Sequence, residues 1–488
     1  MLPFQTIIAL NRNCRVPLGQ QIANAVIMHI RKGVLPPGTR LPGTRSLSVT
    51  LDVHRKTVVA AFDELLTQGW LEAVPARGTF VSKQLPEGRP DSLGDGGFPA
   101  APAGRTGYPL HHPPHLQIPV YVNRGELSFT DGTPDERLAP TEALGRNYRS
   151  ILRRGTSRSL LTYGDPRGNP WLRAELSAYL NGTRGLQTGP DNILVTRGSQ
   201  MGIYLATQVL VQPGDRVVVG ESNYWVADAG FTQAGARLVR VPVDEHGLVV
   251  EAVEEACRRE PVRAVYVTPH HHHPTTVTLR ADRRIRLLQL AETYRFAVVE
   301  DDYDYDFRYQ GSPILPLASA DAGGMVVYIG SLSKALAPAI RVGYVAGPVE
   351  LIEELGRLRR IIDRQGDPVL EQAVAELFRE GEISRHLKKA LKAYHQRRDH
   401  CCALLRENMG HALQFRVPDG GMAVWARFDP AVSLPAVAEK ARRKGLYLSD
   451  GRLYDPGGQG LNATRLGFAA MNPAETERAI EVLSAALG

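Results

Sequence analysis

Between residues 192 and 346 the chain alternates short apolar runs with amphipathic stretches, a pattern that few folds accommodate. The strand candidates are 192–196, 216–220, 237–242, 263–268, 296–300, 326–330 and 341–346; helix-like segments occupy 200–211, 248–260 and 280–295. Strands separated by helices predict an α/β fold with a mostly parallel sheet. Residues from about 350 to 488 read as long helices plus a small α/β lobe. On open α/β sheets, ligands bind outside the carboxyl ends of the strands. The residues that follow each apolar run are therefore the ones to inspect.

Those residues carry chemistry. After the run at 325–329 comes Ser331-Leu332-Ser333-Lys334, with Arg341 seven residues beyond the lysine. Glu300-Asp301-Asp302-Tyr303 closes another run and sets Asp301 thirty-three residues before Lys334. A lone S-x-S-K occurs in many exposed loops. A lysine, an acid and an arginine, each at a strand end, form a far more specific combination. Gly198-Ser199-Gln200 opens a helix after a strand, where free backbone amides suit a phosphate dianion. Ser331 and Arg341 would add hydrogen bonds and charge to it. Tyr224 is placed to stack on a flat ring, and Arg465 to bind an anionic group of a ligand. Each has a plainer reading alone: Asp301 as a loop cap, Tyr224 as core, Arg465 as the partner of an acid.

The amino-terminal end has a different character. Of the net charge of +7, residues 1–82 hold +5, with nine Lys/Arg against four Asp/Glu and no acid before Asp52. Such a compact basic module is an electrostatic footprint for nucleic acid. Residues 18–32 read as an amphipathic helix with Ile22, Val26 and Ile30 on one face, stopped by Gly33. A short helix at 44–51, capped by Thr44, and a tight turn at Asp52-Val53-His54 lead to a third helix at 55–68. Two short strands, 70–74 and 78–81, flank Pro75-Ala76-Arg77. Three helices and a β-wing predict a winged helix-turn-helix, whose third helix presents its first side chains to the major groove. Arg55, Lys56 and Thr57 occupy that position, Arg55 suited to fork onto a guanine. Arg40 and Arg45 suit phosphates, and Arg77 with Gly78 forms the tip of the wing.

Residues 83–118 are rich in Pro, Gly and small polar residues, without an apolar period, and read as a flexible linker. His111, His112 and His115 fall there as solvated side chains. Hydrophobic content of 43% with 22% charged residues reads as soluble and globular, and no apolar stretch is long enough to span a bilayer. The start at Met1 lacks a basic region, so no signal peptide is expected. Cys14, Cys257, Cys401 and Cys402 show no C-x-x-C spacing and read as reduced thiols.

Residues 17–82 resemble the GntR-type winged helix throughout, including Leu35-Pro36-Pro37-Gly38-Thr39-Arg40-Leu41-Pro42, Arg55-Lys56-Thr57-Val58 and Gly78-Thr79-Phe80-Val81. One departure is His54, where a serine usually caps the recognition helix. Residues 125–488 resemble fold-type I aminotransferases. The order of Tyr163-Gly164-Asp165-Pro166-Arg167-Gly168, Thr196-Arg197-Gly198-Ser199-Gln200 and Glu300-Asp301-Asp302-Tyr303-Asp304 resembles the regulatory branch. The combined layout is that of the MocR/GabR-type regulators. The resemblance implies a DNA-binding domain at 1–82, the linker at 83–118 and an effector domain at 119–488, with a large lobe at about 150–350 and a small lobe at about 351–488. It implies pyridoxal 5′-phosphate joined to Lys334, its pyridine nitrogen facing Asp301 and its phenolic oxygen facing Tyr303. It further implies a cytoplasmic transcription factor and a head-to-tail homodimer, each winged helix packed on the partner's large domain.

The effector is then expected to be a small primary amine, sensed by aldimine exchange at Lys334. Departures from relatives bear on its identity. Pro274-Thr275-Thr276 replaces a P-x-G ending, Val226 stands where some amino-acid sensors have arginine, and Gly420-Gly421-Met422-Ala423 replaces a G-x-H pattern. With Arg465 alone to hold an anion, a taurine-like sulfonate or a diamino acid fits better than an ordinary α-amino acid. In the run His270-His271-His272-His273 consecutive side chains point to alternate sides, so no metal site is expected; His271 and His273 are assigned to the effector pocket. Two alternatives stay open: an aminotransferase with an accessory DNA-binding module, and a regulator that senses pyridoxal phosphate itself.

Overall fold

The structure, a computed structural model, describes residues 4–12, 16–86, 104–117, 127–311 and 314–488. The chain start at residues 1–3, Cys14 and half of the stretch expected to be a linker lie outside them. Two compact units divide the chain, Met1–His111 and His112–Gly488. Among the described residues no helix is long and apolar enough to cross a membrane.

In the first unit a single turn, α1 (Phe4–Ile7), precedes α2 (Leu18–Arg31), α3 (Thr44–Thr50) and α4 (Arg55–Thr67); strands β1 (Leu71–Val74) and β2 (Gly78–Val81) follow. The four-residue spacing of Ile22, Val26 and Ile30 puts all three in the core, against Leu47, Val58, Phe62 and Leu65 from the other helices. β1 and β2 pair antiparallel from Leu71↔Val81 to Val74↔Gly78. Their connection needs left-handed backbone at Ala76 (φ 59°) and Gly78 (φ 115°), which makes the tip of the wing. Two caps differ from expectation. Gly43, and not Thr44, is the N-cap of α3. His54 caps α4 itself, its Nδ1 accepting the Lys56 amide at 3.2 Å, so imidazole does the work of the usual hydroxyl.

The second unit begins with β3 (Leu127–Ser128), α5 (Thr141–Arg153) and α6 (Pro170–Arg184). The alternating region follows as β4 (Ile193–Thr196), α7 (Ser199–Leu210), β5 (Arg216–Gly220), α8 (Trp225–Gln233), β6 (Arg237–Val241), the hairpin β7 (Val243–Asp244) and β8 (Gly247–Leu248), α9 (Val250–Arg259), β9 (Ala264–Val267), α10 (Ala281–Tyr294), β10 (Ala297–Asp302), β11 (Val326–Ser331) and β12 (Gly343–Ala346). Seven strands form one sheet in the order β4-β12-β11-β10-β9-β5-β6. β4, β5, β9 and β12 are buried at nearly every residue because helices cover both faces, which is why they read as unbroken apolar runs.

β12 is the exception to parallel pairing. It runs antiparallel to both β11 and β4, because the chain returns from β11 through a short loop with no crossover helix. Its first residue, Gly343, consequently lies opposite Ser331 on one side and Thr196 on the other. The carboxyl ends of β4 and β11 and the amino end of β12 thus meet at one edge of the sheet.

The chain continues through α11 (Val349–Ile362), α12 (Pro368–Arg379) and α13 (Glu382–Met409) to β13 (Leu413–Phe415), β14 (Ala423–Phe428), α14 (Leu434–Arg443), β15 (Leu446–Tyr447), β16 (Ala463–Gly467) and α15 (Pro473–Leu487). β13, β14 and β16 make an antiparallel sheet in which Trp425 faces Arg465 across the ladder. This lobe also takes in residues far earlier in the chain: β3 pairs parallel with β15, and Leu127 and Phe129 join its core. His115 departs from a solvated reading too, since Nε2 bonds the Gln233 side chain at 2.8 Å.

Candidate functional site

The strand-end motifs converge. Lys334, just past β11, is half-buried, and its Nζ donates to the Gly132 carbonyl at 2.7 Å. Burial pulls the ammonium down from its ordinary value, with Arg465 acting in the same direction and Asp131 and Asp304 against it. Asp301, near the end of β10, is buried; its Oδ2 accepts the Tyr266 hydroxyl at 2.7 Å, while its Oδ1 has no partner. Burial pushes this carboxyl up to about 7. A buried acid with a free lone pair is an acceptor waiting for a cationic N–H.

At the neighbouring edge, Gly198 is the N-cap of α7 with φ 79°. The Arg341 guanidinium lies on it so closely that a Cβ at 198 would fall 2.7 Å from NH2, and that nitrogen donates to the Arg197 carbonyl at 2.9 Å. The free amides opening α7, at Ser199 and Gln200, therefore share a space with a guanidinium, a combination suited to a phosphate dianion. Ser331 Oγ accepts the Ser333 amide at 3.1 Å. Ser333, given no role in the sequence reading, has a buried Oγ without a partner in this turn. The residues present fit a phosphorylated pyridine: amides and Arg341 at one end, the open oxygen of Asp301 at the other, Lys334 between strand ends. Tyr224 accepts the Gln200 amide at 3.0 Å and packs edge-on against His273 with centroids 5.1 Å apart.

Three assignments change. Tyr303 Oη donates to the His271 carbonyl at 2.9 Å, so its proton is committed to the backbone and not held free for a phenolic oxygen. His271 is enclosed, its Nδ1 2.7 Å from Asp304 and its ring under Gly420 and Gly421. A Cβ at 420 would fall 2.3 Å from Nε2, which accounts for the paired glycines and makes His271 a packing group and not a pocket wall. Arg465 is buried and already engaged: its Nε lies 2.6 Å from Asp131 Oδ1, and NH1 donates to the Pro274 carbonyl at 3.0 Å. The plainer reading of Arg465, the partner of an acid, is the one realised.

That acid is the residue missed by the sequence reading. Asp131 meets His273 Nε2 at 2.8 Å through Oδ2 and the Tyr454 hydroxyl at 3.2 Å through Oδ1. Burial opposes its ionisation, but the charges of His273 and Arg465 outweigh it and hold the carboxyl well below its usual range. Nothing in Thr130-Asp131-Gly132 announces this; only the meeting of distant segments creates it. The remaining histidines each take a separate partner, His270 with Asp302 at 3.2 Å and His272 with Thr275 at 2.8 Å. Among the described residues no cluster of His, Cys, Asp and Glu is arranged to hold a metal. Thr276 occupies the position of the replaced glycine at φ 63°.

In the first unit Arg55 and Lys56 are exposed in the first turn of α4, with Thr57 half-buried beside them. Arg45 is exposed on α3 and Arg77 at the wing, and Arg40 bridges Phe80 with its guanidinium beside Gly78. Among the described residues none of these cations is held in an ion pair, which leaves their charge available to phosphates.

Residues 18–81 match the family of bacterial regulatory proteins, gntR family, and residues 124–483 match aminotransferase class I and II. The probable rhizopine catabolism regulatory protein MocR of Rhizobium meliloti is 30% identical over 98% of this chain and 96% of its own length. The HTH-type transcriptional regulator TauR of Rhodobacter capsulatus is 29% identical over 96% of each. Among solved structures, Pyrococcus horikoshii kynurenine aminotransferase superposes with a TM-score of 0.69 at 29% identity, covering 74% of this chain and 90% of that one.

Proposed function

The chain belongs to the MocR/GabR-type regulators, a GntR winged helix fused to an aminotransferase class I and II domain, and on that premise we propose that it is a DNA-binding regulator whose second unit holds pyridoxal 5′-phosphate on Lys334 and responds there to a small primary amine. The full-length relatives named as transcriptional regulators support a regulator with an aminotransferase-like domain over a dedicated aminotransferase, and residual transamination is compatible with that reading. The observation that carries the cofactor reading is the orphaned Oδ1 of buried Asp301, set at the same sheet edge as Lys334 and the α7–Arg341 cradle.

When bound, pyridoxal phosphate supplies an aldehyde able to join an amine covalently. Lys334 would be its resident amine, and release of Lys334 by an incoming amine would return an ammonium to the pocket. Asp301 would keep the pyridine nitrogen protonated. Ser199, Gln200 and Arg341 would fix the phosphate, and Tyr224 would cover the ring. A change of charge beside Arg465 and Asp131 can bias one domain arrangement over another, which is what a regulator must pass to its winged helix. The DNA face would consist of Arg55, Lys56 and Thr57 in the major groove, Arg40 and Arg45 on phosphates, and Arg77 with Gly78 in the wing. A cytoplasmic, head-to-tail homodimer is the assembly this reading expects.

The test is spectroscopic. Wild-type protein should be yellow and should lose that absorbance on borohydride reduction; Lys334→Ala should show neither property. Primary amines should shift both the spectrum and DNA affinity, whereas their N-acetylated forms should do neither. An unchanged spectrum in Lys334→Ala refutes the cofactor site. N-acetylated amines that work as well refute covalent sensing.

A further inference from the structure

Thr276 is held in a conformation that its own side chain opposes. A β-branched residue at φ 63° is strained. The turn around it is fixed all the same: its amide donates to the His272 carbonyl at 2.6 Å, and the His272 amide donates to the Val277 carbonyl at 2.8 Å. Strain that the surrounding structure imposes concentrates at ligand sites. The neighbouring threonines use their hydroxyls internally, Thr275 with His272 Nδ1 at 2.8 Å and Thr278 with the His270 carbonyl at 2.9 Å. The half-buried Thr276 makes no side-chain hydrogen bond among the described residues. It lines a cleft of about 560 Å³ between this turn, the β7–β8 hairpin and one face of the β13-β14-β16 sheet.

The sheet supplies the opposite wall. Gln414 pairs with Arg427, and Trp425 pairs with Arg465. Side chains alternate along a strand, so Arg416, two residues beyond Gln414, shares the face of Trp425 and Arg427. Arg465 stands on that face as well, and its NH1 holds the Pro274 carbonyl that leads into the Thr276 turn. The cleft is thus next to the Lys334 site but built from other groups. Arg416 and Arg427 are exposed, and among the described residues neither is held in an ion pair or a hydrogen bond. Asp244 is committed, because Arg283 donates to both of its oxygens at 2.7 Å. Glu245 and Asp419 remain at the rim, exposed, with no side-chain hydrogen bond among the described residues. Two guanidiniums against two carboxylates leave no net charge to attract a dianion or a dication. A single carboxylate on the arginines, carried by a chain of neutral hydroxyls, gives every group a partner: the acids accept the hydroxyls, and Thr276 can donate or accept. Trp425 offers the carbon skeleton an apolar surface.

We propose that this cleft is a second ligand site, selective for a small polyhydroxylated carboxylate of the sugar-acid class. Arg416 and Arg427 hold the carboxylate, and Thr276, Glu245 and Asp419 bond the hydroxyls. Binding to full-length protein is measured by calorimetry and by the shift in melting temperature. The probes are gluconate, sorbitol, which lacks the carboxylate, hexanoate, which lacks the hydroxyls, and trimethylammoniobutyrate, a zwitterion. None carries a primary amine, so none can join a cofactor at Lys334. Gluconate should bind tighter than the other three by about tenfold or more, the range of a hydrogen bond to a charged group. Arg416→Gln and Arg427→Gln, both at exposed positions, should each weaken it about tenfold. Thr276→Gly should weaken it about threefold to tenfold while raising the melting temperature of the ligand-free protein. Folded Lys334→Ala should bind gluconate as wild-type does. Hexanoate binding as tightly as gluconate, or a tighter zwitterion, overturns the hydroxylated class. Sorbitol binding as tightly overturns the role of the arginines. No binding of gluconate to wild-type, unchanged binding in both arginine variants, or loss of binding in folded Lys334→Ala overturns the site itself and leaves the amine reading standing.

Discussion

The carboxyl of Asp301 offers a direct test of the proposed cofactor site. Its burial pushes the group from 3.8 up to about 7. Without cofactor the folded state holds a proton that the unfolded chain releases near pH 4. Stability from this group is therefore complete below the unfolded value and is lost as pH rises toward the folded one. Three pH units at about 1.4 kcal/mol each put the loss at about 4 kcal/mol. Glu300, pushed up to about 7 by burial, adds a parallel loss of about 3 kcal/mol. Asp301→Asn removes the first contribution while keeping an acceptor for Tyr266. The cofactor-free variant should then lose about 4 kcal/mol less stability than cofactor-free wild-type between about pH 4 and pH 8. Loading with cofactor should flatten the wild-type curve, because a pyridinium N–H gives the open oxygen its counter-charge. The same substitution should weaken cofactor retention at least about tenfold, since a neutral amide cannot replace a charge-assisted hydrogen bond. Denaturant midpoints for both proteins, with and without cofactor, across that pH range provide the assay. Equal pH slopes in the two cofactor-free proteins, or undiminished retention in Asp301→Asn, would refute the reasoning.

Two further outcomes are expected. Arg55→Ala should relax discrimination at one base pair of each half-site by about 1–3 kcal/mol while the salt dependence of binding persists; competition between operator variants measures this, and unaltered discrimination counts against Arg55 as a base-reading group. Thr276→Gly should stabilise the second unit by about 0.5–1 kcal/mol, because a β-branched residue at φ 63° is strained and glycine is not; a lower denaturant midpoint would contradict this.

Local patterns made much of this protein legible in advance. The period of Ile22, Val26 and Ile30 set the face of α2, and the basic start of α4 followed from the order Arg55-Lys56-Thr57. Strand runs at 216–220 and 326–330 landed within a residue of β5 and β11, because strands covered on both faces must be apolar throughout. Lys334, Asp301, Gly198 and Arg341 were visible as residues at strand ends, since the chemistry of a cleft at a sheet edge restricts which residues can stand there. The His54 cap lay beyond such patterns, because whether a ring nitrogen reaches a backbone amide depends on geometry and not on residue type.

What the sequence by itself determined was therefore the list of elements, the split into a basic module and an α/β unit, and the residues at each strand end. Only the tertiary structure decided who meets whom. Antiparallel β12 delivers Arg341 to Gly198, a histidine run divides itself among Asp302, Asp304, Thr275 and Asp131, and Asp131 takes Arg465 from across 334 positions of chain. Periodicity reports only which face a residue occupies relative to its neighbours. A pairing between segments that far apart is fixed by packing and by the need to satisfy buried charge, and neither leaves a mark in the local pattern.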